Sequence, residues 1–187
     1  ISEIVWLADV LNACGAKIVG AGTPTITITG GKLLDGTKKT FTVIPDRIEA
    51  GSFLILGALA GKKLTVTNVN PTHLEALTEL LTYTGTKVTT TKNSITVFAQ
   101  KKKDSLRGVN IRTHEYPGFP TDLQAPMVVY LTQVMGESLM FETIFEGRLN
   151  FTESLNRMGA NISMMDPHRV IIRGSTPLKG THLESPD

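Results

Sequence analysis

A single cysteine, Cys14, in 187 residues excludes an internal disulfide framework and fits a reducing cytoplasm. No uncharged stretch is long enough to span a bilayer, which argues against a membrane as partner. The histidines, His73, His114, His168 and His182, are scattered without ligand spacing, so no metal is expected. A net charge of +2 is too small to argue for nucleic acid. The basic run Lys101-Lys102-Lys103, followed by Arg107, has Asp104 beside it and no interleaved aromatics, and reads as a solvated linker. The opening at Ile1 has no initiator Met, basic leader or signal-like apolar run, and nothing there suggests secretion. What the chain does have, 41% hydrophobic and 19% charged residues with mean hydropathy near zero, fits a globular protein with a sizeable core.

Against that background one stretch stands out, Phe119-Pro120-Thr121-Asp122-Leu123-Gln124-Ala125. It leads into residues 124–135, which carry no charge anywhere around the helical wheel and therefore predict a buried helix. The first N–H groups of such a helix lack intrahelical partners and lie at the positive end of its dipole, where an anion or polar ligand is favoured. Asp122 stands at that opening. Two readings are open for it, a helix cap or a functional carboxylate.

Taken in order, the chain predicts a helix over residues 2–14 with Ile4, Leu7, Ala8 and Leu11 on one stripe, then strands over 16–19 and 25–29. A strand over 39–44 precedes Pro45-Asp46-Arg47 and a second nearly uncharged helix, 48–59. Next come a strand over 64–69, a helix entered through Asn70-Pro71, and strands over 86–90 and 94–99. The same order then restarts: strand 109–112, the helix at Asp122, strand 139–145, helix 150–158, and strands 160–164 and 169–172. Pro45-Asp46-Arg47-Ile48-Glu49-Ala50 aligns with Pro120-Thr121-Asp122-Leu123-Gln124-Ala125, and the helix-ending turns recur as Gly15-Ala16, Gly85-Thr86 and Gly159-Ala160. This is an internal repeat of βαβαββ units. One unit cannot cover an all-apolar helix, so the expected class is α/β (α+β), an inside-out barrel of repeated units around buried helices. A third copy is expected to start at residues 178–183 and to reach its own Asp-led helix at Pro186-Asp187. The first copy is cut as well, so the chain reads as an internal piece of a longer polypeptide.

The motifs Pro45-Asp46-Arg47-Ile48-Glu49-Ala50-Gly51, Phe119-Pro120-Thr121-Asp122, Phe145-Glu146 with Arg148, Gly20-Ala21-Gly22-Thr23 and Arg157-Met158-Gly159-Ala160 run across nearly the whole sequence. In order and spacing they resemble the enolpyruvyl transferases, and the first two strings favour the branch acting on a UDP-sugar over the shikimate branch. The resemblance implies two domains of three repeats each, with substrates held between them. Residues 1–44 are then the last, partial repeat of one domain, and 45–187 the first two repeats and the start of the third repeat of the other. It implies as reaction the transfer of the enolpyruvyl group of phosphoenolpyruvate to the 3-hydroxyl of UDP-N-acetylglucosamine with release of phosphate, with no cofactor.

By the same resemblance Asp122 matches the carboxylate that orients the sugar hydroxyl and accepts its proton, and Ile144 a strand-end position whose backbone touches the sugar nucleotide. Arg148 matches an arginine facing an anionic substrate; its alternative is a surface ion pair with Glu146 or Glu153. Asp46 is expected to line the cleft, with a helix cap or a domain–domain contact as its alternatives. The departures are Ile1 where an acidic residue is usual, Gly147 between Glu146 and Arg148, and the absence of the family's catalytic lysine, cysteine-bearing loop and late arginines. Cys14, at the end of an amphipathic helix, is not that cysteine. These residues alone are therefore not expected to catalyse the reaction. A non-catalytic homologue that binds a nucleotide sugar, and a repeat domain with no ligand, are the alternatives.

Overall fold

The computed structural model describes residues 2–99 and 105–183, so the linker read at Lys101-Lys102-Lys103 and the helix start read at Pro186-Asp187 lie outside the described residues. The chain falls into two units, Ile1–Pro45 and Asp46–Asp187.

In the first unit, helix α1 (Ser2–Ala13) is followed by strands β1 (Lys17–Val19) and β2 (Thr27–Thr29), which pair antiparallel with Ile18 opposite Ile28. The apolar stripe predicted on α1 is there, yet among the described residues of the unit only Ala8 is buried, while Ile4 and Leu7 remain about half exposed. The strand expected over 39–44 does not form. Its backbone finds no ladder among the described residues, and extended chain without a partner strand is not stable. Thr42 instead gives its carbonyl to the Trp6 Nε1–H at 2.9 Å.

The second unit contains the duplication. Its first copy is α2 (Arg47–Ala60), β3 (Leu64–Thr67), a 3₁₀ turn (Pro71–Leu74), α3 (Glu75–Tyr83), β4 (Lys87–Thr90) and β5 (Ser94–Phe98). The second copy is β6 (Ile111–Arg112), a 3₁₀ turn (Thr121–Leu123), α4 (Gln124–Leu131), β7 (Gly136–Phe141), α5 (Thr152–Arg157), β8 (Ile162–Asp166) and β9 (Arg169–Gly174). The last strand of each copy inserts between the two before it. The sheets are ordered β3-β5-β4 and β6-β7-β9-β8, antiparallel except for the parallel pair β6 with β7. The strands thus form separate sheets, and no closed barrel is present among the described residues. The segment 178–183, where a third copy was expected to begin, carries no regular structure.

The uncharged helices are the centre of the core. α2 contributes Ala50, Leu54, Ile55 and Ala58, and α4 contributes Met127, Val128, Tyr130 and Leu131, packed with Ile95, Val97, Met140, Val170 and Ile172 of the sheets. Gly51 lets the second copy approach α2. A Cβ there would stand 2.6 Å from a Leu123 methyl, and both residues are buried, so nothing could move aside. The expectation that α2 is covered on all sides is not met: Phe53 and Leu56 are about half exposed.

Three helix ends repeat one device. After α1, α3 and α5, Gly15, Gly85 and Gly159 take φ of +107°, +104° and +102°. The N–H of Ala16, Thr86 and Ala160 then reaches back to the carbonyl of Leu11, Leu81 and Leu155, satisfying carbonyls the helix leaves unpaired. Two of the three turns carry an asparagine clasp as well: Asn12 exchanges two hydrogen bonds with Ile18, and Asn156 two with Ile162. Thr82 stands at that place in the middle turn, and its hydroxyl donates to Thr78 within α3.

The two copies of the second unit also share a buried polar chain. Thr84 donates its hydroxyl to the Leu81 carbonyl, so it must accept the proton of the Tyr130 phenol 2.6 Å away; Thr86 then donates to the same phenol oxygen at 2.9 Å. Burial pushes the Tyr130 pKa up, against the smaller opposing effect of the two hydroxyls, so the phenol keeps the proton the chain needs.

Candidate functional site

The mouths of α2 and α4 align in sequence but are built differently. At α2, Asp46 is the N-cap: its Oδ1 accepts from the N–H of Ile48 at 2.7 Å and of Glu49 at 3.1 Å. At α4 the aligned residue is Thr121, also able to cap, but its hydroxyl is committed elsewhere, and neither the 3₁₀ turn nor α4 has a side-chain cap. Asp122 is therefore not the cap of α4. It is about half exposed and accepts from Arg148 Nη2 at 2.8 Å. Arg148 Nη1 donates to Thr121 Oγ1 at 3.0 Å, and the guanidinium lies 5.2 Å from the centroid of the Phe145 ring. The ion pair of Arg148 is formed with Asp122, not with Glu146 or Glu153 as in the alternative reading. In so exposed a setting the pair contributes at most about 1 kcal/mol to folding. Its effect is to hold a guanidinium fork and a carboxylate side by side.

The residue that organises this group is one the sequence reading did not single out. Glu142 follows β7, is fully buried, and both its oxygens are saturated by donors. Oε1 accepts from Thr113 Oγ1 at 2.9 Å, Ile144 N at 2.8 Å and Phe145 N at 3.2 Å; Oε2 accepts from Thr121 Oγ1 at 2.7 Å and Gln124 Nε2 at 3.0 Å. Burial raises the pKa of this carboxyl, but hydrogen bonds from Thr121, Ile144, Thr113 and Phe145 together outweigh it, and the net displacement is downward. Glu142 is thus a buried anion. The available signal was a carboxylate directly after the apolar run Leu139-Met140-Phe141, in a strand whose counterpart has Thr67 at that place.

This makes a pH prediction. A carboxyl whose folded pKa is depressed stabilises the fold fully above its unfolded pKa, near about 4.3, and the contribution is lost as pH falls through the folded pKa. Thermal melts of the complete protein between about pH 6 and pH 3 are expected to fall more steeply for the wild type than for Glu142→Gln, which has no such proton to bind. Parallel acid limbs would sink that account.

Of the residues picked from sequence, Asp122, Arg148 and Ile144 are brought together, the first two by direct contact and the third through Glu142. Asp46 is used at the mouth of α2. A cavity of about 790 Å³ in the second unit is an open groove elsewhere, lined by Glu79, Tyr83, Asn110, Phe119 and Glu137 among others, and Asp122, Ile144 and Arg148 do not border it. Chemically the cluster offers an exposed carboxylate that can accept a proton, a guanidinium suited to phosphate or carboxylate, and a strand-end backbone fixed by a buried anion.

Comparison with known proteins places this geometry among relatives. The family described as EPSP synthase (3-phosphoshikimate 1-carboxyvinyltransferase) matches residues 2–187. UDP-N-acetylglucosamine 1-carboxyvinyltransferase 2 of Bacillus subtilis is 43% identical over 185 residues, covering 99% of this chain and 42% of its own length. The UDP-N-acetylglucosamine 1-carboxyvinyltransferase of Koribacter versatilis is 44% identical, with coverages of 99% and 41%. Among solved structures, the enolpyruvyl transferase NikO from Streptomyces tendae superposes with a TM-score of 0.79 at 24% identity, covering 94% of this chain and 41% of that one. That likeness establishes the fold. The chain spans about two-fifths of the length of the curated relatives it matches.

Proposed function

The chain belongs to the EPSP synthase family, and from that premise we propose that the complete protein transfers the enolpyruvyl group of phosphoenolpyruvate to the 3-hydroxyl of UDP-N-acetylglucosamine. Phosphate is released, and the reaction is the first committed step of peptidoglycan synthesis, carried out in the cytoplasm. The observation that carries the reading is the Asp122–Arg148 pair, held beside the strand-end backbone of Ile144 at the mouth of an uncharged helix. Asp122 accepts the sugar hydroxyl proton as that oxygen attacks the activated alkene. A free aspartate, with a pKa near about 3.9, is too weak a base to deprotonate an alcohol beforehand, so proton removal and attack go together. Arg148 meets the phosphate and carboxylate of phosphoenolpyruvate with its planar fork. The backbone at Ile144 contacts the sugar nucleotide. Asp46 belongs to the same crevice through its position at the preceding helix mouth, although its carboxylate is engaged as a cap.

The domain reading is part of this proposal. Residues 1–44 are the last repeat, in part, of one domain, and 45–187 the first two repeats and the start of the third repeat of the second. The break at Pro45 and the half-exposed Phe53 and Leu56 on α2, which await a further apolar helix, support it. Asp122 and Arg148 are both partly exposed, so a substrate can reach the pair. The test is phosphate release by the complete protein, which should require both phosphoenolpyruvate and UDP-N-acetylglucosamine. Turnover with shikimate 3-phosphate in place of the sugar nucleotide, and none with it, would overturn the substrate assignment.

A further inference from the structure

We propose that Glu142 is a positioning residue that sets two substrate contacts independently, one through each carboxylate oxygen. The proposal rests on the reading of Arg148 and Ile144 as substrate-facing groups, and it is argued from the direction of every hydrogen bond around the carboxylate.

On the Oε2 side, a threonine hydroxyl has one proton. Thr121 spends it on Glu142 at 2.7 Å, which leaves only lone pairs to face Arg148 Nη1 at 3.0 Å. The guanidinium can only donate, so Arg148 is held there only while Thr121 points its proton inward. The anion thereby fixes the cation through an intervening hydroxyl, with no direct contact. On the Oε1 side, the carboxylate gathers the N–H groups of Ile144 and Phe145, at 2.8 Å and 3.2 Å, and so fixes the path of the backbone leaving β7. Thr113 repeats the logic of Thr121: it donates to Oε1 at 2.9 Å and accepts from the Thr143 N–H at 2.9 Å.

Every described partner of the Glu142 carboxylate is a donor, so the site requires a group that only accepts. A glutamine in its place would turn an N–H₂ toward one side. Facing Thr121, it would force the hydroxyl proton outward against Arg148, donor against donor; facing Ile144 and Phe145, it would oppose two backbone N–H groups.

The test uses the complete protein and separates the two oxygens. Thr121→Val removes the relay to Arg148 and leaves the Oε1 side intact, so it is expected to raise KM for phosphoenolpyruvate about tenfold with KM for the sugar nucleotide unmoved; Thr121→Ser restores it. Glu142→Gln is expected to raise, by about tenfold or more, the KM of the substrate on whichever side its N–H₂ faces. Should Glu142→Gln fail to fold, Thr121→Val against Thr121→Ser still decides the matter. If Arg148→Ala raises KM for phosphoenolpyruvate but Thr121→Val does not, the relay is overturned and the functional reading stands. If Arg148→Ala changes neither constant, the assignment of Arg148 falls and the relay with it. A loss of melting temperature in Glu142→Gln with both KM values unchanged would reduce Glu142 to a structural role.

Discussion

Asp122→Asn in the complete protein is expected to lower kcat by about 100- to 10,000-fold, the range lost when a positioned acid–base group is removed. The melting temperature should move by no more than about 4 °C. The contrast follows from what Asp122 does in the fold. It caps no helix, its side chain is about half exposed, and its described partner is Arg148, which keeps its second hydrogen bond to Thr121. Breaking an exposed pair costs at most about 1 kcal/mol. Asparagine keeps the shape and an acceptor oxygen but cannot take up the hydroxyl proton at neutral pH. Undiminished turnover would remove Asp122 from the chemistry. A large fall in melting temperature with a matching fall in turnover would make it a structural residue after all.

Arg148→Ala is expected to raise KM for phosphoenolpyruvate by about 30- to 100-fold, the equivalent of one charge-assisted bidentate contact. Arg148→Lys should recover only a small part. An ammonium on a flexible stem can replace the charge, but it cannot span Thr121 and Asp122 while lying against the Phe145 ring. The folded state loses little in either variant, since Glu142 keeps its own donors from Thr113, Thr121, Gln124 and the backbone. Steady-state kinetics at varied phosphoenolpyruvate and saturating sugar nucleotide make the measurement, and a lysine variant indistinguishable from wild type would defeat the argument from fork geometry.

The parts of this fold legible in the sequence are those whose causes are local. Gly15, Gly85 and Gly159 announce helix ends because only glycine readily takes the left-handed turn there. The absence of charge from residues 124–135 announces a buried helix, and the two Pro-led strings announce the duplication. What could not be read depends on distant partners. Residues 39–44 have strand-like composition, but a strand exists only with a neighbour to pair with. Asp122 looks like a cap because it stands at the mouth of an uncharged helix, and only the fold reveals that Thr121, the residue aligned with the cap Asp46, is diverted to Glu142 and Asp122 to Arg148. Glu142 itself was invisible as an organiser. Its anionic state is secured by Thr113 and Thr121, twenty or more positions earlier in the chain, and no periodicity reports on such an arrangement.

The phenol shared by the two copies limits what the duplication allows. Tyr130 aligns with Ile55, so only one of the two sister helices carries a phenol at this place, and its acceptor and donor, Thr84 and Thr86, lie in the other copy. Transposing the halves, or building a symmetric molecule from either one, would strand that hydroxyl among methyl groups or leave two threonines facing nothing. Ancestrally equivalent modules have become complementary ones, and their order along the polypeptide can no longer be permuted freely.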